Sequence, residues 1–447
     1  MKVPGTSFIF LTILLIRITG NLEQLPEINK LVEHFFRHES GKMVAVLTKI
    51  FGVDNIDLAE DVVQDSLVEA ISNWQYSGVP HNPSAWLFRV AKNKALNLVN
   101  REKYKRQYSK ETEHLLRSEL TAEPAMDFLF SEAQIEDDQL RMIFTCCHPA
   151  INPGSQVALA LKTLCGFSIA EIARAFLTTE ENIHKRLVRA RQKIREHKIP
   201  FEVPKDDELN ERLQTVLKTI YLLFNEGYSA SGGNDIIRYE LCEEAMRLTV
   251  MITSNNAIRE KSDAYALLSL MQLNASRFKA RLDSNGNICT LEEQDRRLWD
   301  HALMNKGFDN LKTASLRGAF SGFHVLAAIS ACHCAAVNYA STDWKTILEL
   351  YDNLLLLDNS PVVLLNRAVA LSKVAGPEAA IEELNRIKTS PELKTYHLFY
   401  STLGVLHTET GGYKDAIPLF EKAIDLAPLP AEKSLLQRKL DFCLENL

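Results

Sequence analysis

Charged side chains are distributed unevenly along the first 200 residues, and their pattern predicts binding chemistry. Two segments are basic: Trp86–Lys110 carries eight Lys/Arg and one acid, and Glu181–Lys198 carries seven Lys/Arg and two acids. The segment Asp54–Glu69 instead has six acids and no base. Because the whole chain has a net charge of −6, the basic segments are local concentrations of cations, which displace counterions condensed on phosphates. We therefore expect a divided surface for nucleic acid and a different partner for the acidic segment.

Length and composition limit the fold that positions these segments. A chain of 447 residues with 46% hydrophobic content, 18 glycines and 15 prolines is typical of several well-packed, mostly helical domains, and we expect an all-α protein. The eight cysteines are scattered within apolar helical patterns. That distribution favours a reducing, cytoplasmic location over a disulfide framework.

Two short clusters contain metal-ligand residue types, Cys146-Cys147-His148 and Cys332-His333-Cys334. A structural zinc site requires ligand pairs with a spacing such as C-x-x-C, so that four groups converge on the ion. Adjacent cysteines point apart on a helix. We therefore expect buried, inert thiols with no metal and no cofactor, and metal binding or redox sensing remains the alternative.

The N-terminus has some features of a targeting segment. Lys2 precedes an apolar run over Phe8–Ile16, which Arg17 ends before it is long enough to cross a bilayer. No Ala-x-Ala cleavage pattern follows. We interpret residues 1–24 as an extension outside the fold and expect no stable membrane association, with a membrane tether as the alternative.

The acidic segment has helical periodicity over Asp57–Asn73. Its apolar stripe consists of Leu58, Val62, Ser66 and Ala70. The pattern places a polar set on the opposite, outward side: Glu60, Asp61, Gln64 and Asp65. An outward acidic face is commonly just solvated, so this helix alone does not establish a binding site.

A loop rich in turn-forming residues, Tyr76–Pro83, precedes the first basic helix. Apolar residues of that helix recur at three- and four-residue steps from Trp86. Its opposite face is polar and basic: Arg89, Lys92, Asn93, Lys94 and Asn97. A basic amphipathic helix with an aromatic residue near its start fits duplex edges or unstacked bases, and a surface helix without a ligand is the alternative.

The second basic segment has the pattern of a helix-turn-helix. Ser168-Ile-Ala-Glu171 and Thr178-Thr-Glu-Glu181 both match the capping box that begins a helix. The first helix is predicted over Ile169–Phe176. The second buries Ile183, Leu187, Ala190 and Ile194. Its remaining face is predicted to contact DNA through Asn182, Lys185, Arg186, Arg189 and Lys193.

Taken in order, these motifs resemble those of a known protein family. Leu58-Ala-Glu-Asp-Val-Val-Gln-Asp-Ser-Leu67, Pro83-Ser-Ala-Trp-Leu87 with Ala91-Lys-Asn93, and the helix-turn-helix at Ser168–Arg195 are similar to regions 2 and 4 of sigma-70 family transcription initiation factors. The extracytoplasmic-function subclass is the most similar. Phe144-Thr-Cys-Cys-His-Pro149 and Tyr221–Ala230 resemble signature stretches of a subgroup with a C-terminal extension. Asn97 departs from the Asp that such factors often carry.

The resemblance implies partners and boundaries. Core RNA polymerase would contact Asp61, Gln64 and Asp65, and promoter DNA would contact both basic helices. The implied residues in the first of these helices are Trp86, Arg89, Lys92, Asn93, Asn97 and Arg101. The implied domains are region 2 over residues 25–106, a linker over 107–136, region 4 over 137–200 and a helical array over 205–447.

The C-terminal half has a tetratricopeptide-like pattern of its own. The small and aromatic residues of this 34-residue helical hairpin recur between Tyr400 and Pro428, with Gly404, Gly411 and Ala416 at the close-packing positions. Less regular copies include Leu364–Leu384 and Trp344–Leu357. Because such hairpins bury their apolar faces only by stacking, we expect Glu208–Leu447 to form one array that a regulatory protein or ligand binds.

Two loops in this half leave alternatives open. Asn225–Gly233 is either a glycine-rich helix connection or a ligand-binding or polymerase-facing loop. Asp283-Ser-Asn-Gly-Asn287 resembles part of a calcium loop, but the Glu that would complete the ligand set is missing, so we interpret it as a turn.

Three classes of function remain at this stage. A sigma factor that recognises minus-35 and minus-ten elements, promotes melting and is modulated by its C-terminal domain accounts for all three charged segments. A conventional helix-turn-helix regulator with a ligand-sensing domain leaves the acidic helix without a role. An enzyme in the C-terminal half has no nucleophile–base set or phosphate loop to support it.

Overall fold

The structure is a computed structural model, and it describes residues 39–100, 127–176, 178–229, 237–256, 258–316 and 320–447. Within these ranges the regular structure is helical, apart from an antiparallel bridge between Leu282 and Ile288. The all-α prediction is confirmed. The predicted extension over residues 1–24 and most of the predicted linker lie outside the described residues. None of the described helices is long and apolar enough to cross a membrane.

The described chain divides into two compact units. The first contains the residues up to Thr219, apart from Ala175–Leu177, and the second contains those three positions and the residues from Ile220 onward. Region 2 and region 4, as predicted from the sequence, both lie in the first unit. The division falls inside one helix, Asp206–Tyr228, and not at the predicted boundary near residue 205.

The first three described helices form the region 2 part of the first unit. They are α1 over residues 39–51, α2 over Ile56–Ser77 and α3 over Pro83–Asn100. Trp74 of α2 and Leu87 of α3 are almost completely buried between them. Gly78, with φ of +78°, ends α2 in a conformation that favours glycine, and the loop then turns the chain into α3.

Four helices form the region 4 part: α4 over Glu132–Cys146, α5 over Pro153–Thr163, α6 over Ile169–Ala175 and α7 over Glu180–Glu196. The helix α4 begins five residues before the predicted start of this domain at residue 137. α8 follows over Asp206–Tyr228. Its Arg212 donates to the carbonyl of Phe144 at 2.7 Å, and Thr219 donates to the Gln156 side chain at 3.1 Å. The start of α8 therefore packs on the region 4 part.

The second unit contains ten further helices among the described residues. They are α9 (Tyr239–Ser254), α10 (Ser262–Ala275), α11 (His301–Ser315), α12 (Gly322–Ala335), α13 (Trp344–Leu355), α14 (Pro361–Ala375), α15 (Pro377–Ile387), α16 (His397–Glu409), α17 (Tyr413–Leu426) and α18 (Pro430–Glu445).

The predicted tetratricopeptide-like hairpin is the pair α16 and α17. A Cβ atom placed on Gly404 would lie 2.8 Å from the ring of Phe420, so the glycine permits the two helices to approach closely. Leu403, Ala416 and Ala423 are buried at the predicted positions. Hairpins therefore stack in this unit through small residues and apolar clusters, as expected for such arrays.

Candidate nucleic-acid and polymerase interface

The acidic helix α2 presents two of its three predicted contact residues to solvent. Asp61 and Asp65 are exposed, and Gln64 is half-buried. The stripe on the opposite side is buried at Val62, Ser66 and Ala70, as predicted. Partial burial raises the pKa of Asp61, and the neighbouring carboxylates of Asp57, Asp65 and Glu60 raise it further. The face is therefore a concentrated source of negative potential suited to a cationic partner.

The prediction that Glu60 faces solvent is wrong. Glu60 is only 8% exposed, because its Oε2 accepts a hydrogen bond from Nη2 of Arg191 at 2.9 Å. The other guanidinium arm, Nη1, lies 2.6 Å from Oδ1 of Asp57. Arg191 belongs to α7, so this ion pair joins the acidic helix to the second helix of the helix-turn-helix.

Only some of the predicted DNA-contact residues of the basic helix α3 are exposed. Arg89, Asn93 and Asn97 are exposed, whereas Trp86 and Lys92 are half-buried. The ring of Trp86 contacts Trp74 edge-on at a centroid distance of 5.5 Å, so its buried part supports the region 2 core. Arg101 lies outside the described residues.

Two cations of α3 are already paired. Lys92 Nζ lies 2.5 Å from Oδ1 of Asp127, and Lys94 Nζ lies 2.8 Å from Oε2 of Glu69. Both pairs are at least partly exposed, so solvent weakens them and a phosphate can replace either carboxylate. The exposed residues of α3, for which the described part of the chain supplies no ion pair, therefore form the readiest contact surface.

Sequence reasoning placed Tyr76 at the start of the loop Tyr76–Pro83, which the family resemblance assigns to the minus-ten element, but gave its ring no separate role. Its side chain is 93% exposed at the end of α2, directly before the loop that leads into α3. A solvent-exposed aromatic ring beside a basic helix offers a face for stacking an unpaired base. The turn-forming residues after Tyr76 indicated the end of the helix. The sequence pattern did not show that the ring of Tyr76 lies outside the core.

The predicted helix-turn-helix is present over α6 and α7. At its first helix the capping box forms as predicted: the amide of Ser168 donates to Glu171 at 2.8 Å, and the amide of Glu171 donates to Ser168 Oγ at 3.1 Å. The second predicted box, Thr178–Glu181, is wrong. Thr179 caps α7 instead, by accepting from the amide of Asn182 at 3.2 Å. The four predicted apolar residues of α7, from Ile183 to Ile194, are all buried.

The outward face of α7 carries the predicted DNA contacts together. Arg186 is half-buried, and the exposed residues are Asn182, Lys185, Arg189 and Lys193. Lys185 and Lys193 each lie within 3 Å of a carboxylate of their own helix, from Glu181 and Glu196. Among the described residues, no carboxylate pairs with Arg189. Cations and an amide on one exposed helical face fit phosphates and base edges in a major groove.

The cysteine clusters are packed rather than open. Cys146 and Cys147 are buried, which raises the pKa of both thiols and brings that of Cys147 to about 12. Cys334 is buried, and Cys332 is half-buried. The described residues contain no group of three or more His, Cys, Asp or Glu side chains arranged to hold a metal ion.

Of the two predicted loops, the glycine-rich one is only partly described. The predicted loop Asn225–Gly233 begins inside α8, which ends at Tyr228, and its residues from 230 onward lie outside the described residues. The ring of Tyr228 lies 4.0 Å from the guanidinium carbon of Arg281. Asp283 forms a turn, as predicted, because its Oδ1 accepts from the amides of Asn285 and Asn287 at 2.8 Å.

A cavity of about 270 Å³ lies in the second unit, mostly between α16, α17 and α18. Its lining combines aromatic, aliphatic and charged side chains: Glu293, Val405, Thr408, Glu409, Phe420, Leu435, Arg438, Lys439 and Phe442. Glu409 is paired with Lys373 at 2.9 Å. The cavity is the size of a small ligand or one large side chain.

Comparisons with known proteins agree with this geometry. The model described as Sigma-70 region 2 matches residues 35–104, and the model described as Sigma-70, region 4 matches residues 141–194. A third model, described as a family of unknown function (DUF6596), matches residues 212–315.

A relative covers most of the chain. It is a protein of Rhizobium meliloti (strain 1021), described as uncharacterized, which is 36% identical over 387 residues that cover 87% of this chain and 90% of the relative. No solved structure matches the chain. With both sigma regions present in order and a helical extension after them, the chain belongs to the sigma-70 family, as a factor of the extracytoplasmic-function type that serves promoter recognition and transcription initiation.

Proposed function

We propose that this sigma factor binds core RNA polymerase through the exposed side of α2, with Asp61, Gln64 and Asp65 as the contact residues. The observation that carries the proposal is the acidic face itself. Asp61 and Asp65 point to solvent on one helix while the opposite stripe is buried. Complementary charge steers such encounters and fixes their register.

Promoter DNA would be read by two helices of the same unit. The exposed face of α7 would enter the major groove at the minus-35 element, with Arg189 and Lys193 near phosphates. Exposed residues of α3 and the ring of Tyr76 would contact the minus-ten element and help to open it, since an unstacked base needs a new stacking partner. The role is one of binding in the cytoplasm and not of catalysis.

The charge reversal Asp61→Arg tests the polymerase contact. We expect it to abolish transcription from a cognate promoter, a loss of at least about 100-fold, because like charge opposes the same docking surface. Binding of a minus-35 duplex by the full chain should stay within about twofold. In vitro transcription with core polymerase and a duplex-binding titration would measure the two effects.

The matched control is Asp137→Arg, which reverses an exposed acid of α4 outside the proposed surfaces. It should leave transcription near the wild-type level. Normal transcription by Asp61→Arg, or a loss of duplex affinity instead, would favour a conventional helix-turn-helix regulator that acts without this contact.

We further infer that the second unit modulates the factor, with the cavity beside α16 as a site for a regulatory protein or ligand. Its support is the mixed apolar and charged lining in a unit that lacks the DNA-contact surface. A chain ending at Tyr228, which keeps the whole of α8, should bind polymerase but transcribe at a changed level. Equal transcription by the short and full chains would contradict this role.

A further inference from the structure

The cavity beside α16 differs from the apolar clusters that stack the helices of the second unit. One of its surfaces is the ring of Phe420, which is 1% exposed and packs on Gly404. Val405 of α16 and Leu435 of α18 add apolar walls. The charged members of the lining come from α16, α18 and the connection between α10 and α11, and all are exposed or half-buried. An apolar interior with charged side chains at its exposed part is typical of a ligand site rather than of a packing defect.

Helix α18 has two faces of different composition. Leu436, Leu440 and Cys443 form a buried stripe that packs with residues of α17. A second set of residues, at positions i, i+3, i+4 and i+7, forms the cavity stripe: Leu435, Arg438, Lys439 and Phe442. A helix face that packs on another helix carries apolar residues at such positions. Two cations between two apolar residues instead suit an amphipathic ligand.

The apolar part of the cavity stripe is incompletely covered. Phe442 is 50% exposed, although it lines the cavity and contacts Tyr413 edge-on at a centroid distance of 6.3 Å. Leu435 is half-buried. A ligand with an apolar body would remove more of both side chains from water, which is favourable in proportion to the area covered.

Among the described residues, the two cations of the cavity stripe have no carboxylate partner within ion-pair distance. Nη2 of Arg438 donates to the carbonyl of Ile288 at 3.3 Å, which is a neutral acceptor. Glu409 also lines the cavity, but it pairs with Lys373 at 2.9 Å instead. Arg438 and Lys439 therefore retain N–H groups for an anion that enters the cavity.

The other acid of the lining, Glu293, is engaged as well. Its Oε2 accepts hydrogen bonds from the amide and the hydroxyl of Thr290, each at 2.7 Å. Partial burial would raise the pKa of Glu293, but the hydrogen bonds from Thr290 and the charges of Arg438 and Lys439 lower it. Both cations therefore act at the same side of the cavity. Two cations against one engaged carboxylate leave a net positive charge there.

We propose that this cavity binds a small amphipathic carboxylate, with the carboxylate held by Arg438 and Lys439 and the apolar body against Phe420 and Phe442. The inference rests on the proposed function, because it names the class of ligand for the modulatory cavity of the second unit. A guanidinium group offers two parallel N–H donors to a carboxylate, and the adjacent lysine adds a point charge. A volume of about 270 Å³ suits a body of one aromatic ring or a short alkyl chain.

Calorimetric titration of the full-length chain tests the proposal with defined probes. The carboxylates are hydrocinnamate and octanoate, their uncharged counterparts are the two corresponding amides, and octylamine is the cationic probe. We expect at least one carboxylate to bind with a Kd below about 1 mM. Its amide should bind at least about tenfold more weakly, because it lacks the charge that the cations recognise. Octylamine should not bind.

Two substitutions on α18 connect the binding to the cavity stripe. Lys439→Gln removes one cation, and Phe442→Ala removes part of the apolar wall, so each should weaken carboxylate binding about fivefold. The control is Lys433→Gln, which removes an exposed lysine of the same helix outside the cavity. It should bind as the wild type does. Circular dichroism would verify that all three variants retain their helix content.

Three outcomes would overturn the inference. They are no binding of either carboxylate, equal binding of the carboxylates and their amides, and equal affinity of the Lys433 and Lys439 variants. Binding of N-acetylphenylalanine alone would also overturn it, since the cavity would then accept the end of a polypeptide and not a free small molecule.

These titrations need neither polymerase nor DNA, so they separate the ligand site from the proposed function. If a carboxylate binds but the chain ending at Tyr228 transcribes as the full chain does, the proposed modulation fails and the ligand site stands. If no carboxylate binds but the two chains differ in transcription, the modulation stands and the inferred ligand class is wrong.

Discussion

The two units hold their helices together by different means. In the first unit, the contact between region 2 and region 4 includes charged pairs, with Arg191 between Asp57 and Glu60, and Lys49 beside Asp138. In the second unit, neighbouring helices meet through small residues against apolar ones, as at Gly404 and Phe420. An ionic contact can be replaced by water or by another charged partner, whereas a buried apolar contact has no such substitute. Contacts in the first unit therefore depend in part on charge, whereas this contact in the second unit depends on shape.

The largest expected effect is the change in stability with pH that the buried carboxyl of Asp138 causes. Burial raises the pKa of this carboxyl from 3.8 to about 6, although Lys49 and Arg141 oppose the shift. The native state therefore binds the proton more tightly, so the stabilising contribution is present below the unfolded pKa and is lost as pH rises through about 6. The free energy of unfolding of Asp138→Asn, expressed as a difference from the wild type, should therefore rise by about 2 kcal/mol between pH 4 and pH 7.

Urea denaturation at several pH values would measure that difference. The neighbouring exposed acid offers a control, since Asp137→Asn should keep a constant difference from the wild type. If the difference between Asp138→Asn and the wild type did not change with pH, the contact between Lys49 and Asp138 would not respond to protonation. The two units would then not differ in their response to pH.

A close apolar contact in the second unit gives the next effect. In Gly404→Ala the new Cβ would lie 2.8 Å from the ring of Phe420, which is 1% exposed, so the ring or its helix must shift. We expect a loss of about 1.5 kcal/mol of stability, because overpacking outweighs the better helix propensity of alanine. Gly322→Ala is the control, since its Cβ would lie 3.7 Å from Leu354, an ordinary contact distance. Thermal unfolding of both variants would measure the difference. Equal melting temperatures would contradict the overpacking expected at Gly404.

The corresponding change in the first unit is Gly41→Ala. Its Cβ would lie 2.0 Å from the carbonyl oxygen of Leu164, a backbone atom that cannot rotate aside. We expect a loss of at least about 1.4 kcal/mol of stability, because overpacking against backbone has no cheap relief. Thermal unfolding would measure it, and a melting temperature equal to that of the wild type would contradict the close packing of α1 at Leu164.

The smallest expected effect separates two arginines on α7. Arg189 is exposed and Arg191 is held by carboxylates, so Arg189→Ala should leave the stability of the chain unchanged. Binding of a minus-35 duplex should weaken about fivefold, and the salt slope should fall by about 0.9 for one lost phosphate contact. An unchanged slope at several salt concentrations would argue against a phosphate contact at this position.

Sequence reasoning succeeded where periodicity decides burial. The stripe of α7 is buried at all four predicted residues because helical spacing alone places Ile183, Leu187, Ala190 and Ile194 on one side. Gly404 and Phe420 also fall where the hairpin pattern requires them. In both cases the decisive interactions are local or repeat at a fixed interval.

Sequence reasoning failed where burial depends on a residue that is distant in the chain. Glu60 was predicted to face solvent, and only the fold shows that Arg191, 131 residues away, lies beside it. The contact of Trp86 with Trp74 was likewise not predicted, because Trp74 belongs to another helix. The choice of Thr179 over Thr178 as the cap of α7 depends on backbone geometry within one turn, which two adjacent threonines cannot specify.

The buried thiols have a practical consequence. Six of the eight cysteines are buried, and burial raises the pKa of Cys147 and of Cys242 to about 12. Because peroxides attack the thiolate, such side chains react slowly at neutral pH. The purified protein is therefore expected to tolerate storage in air, and Cys289 and Cys332, which are half-buried, are the positions where oxidative damage would first appear.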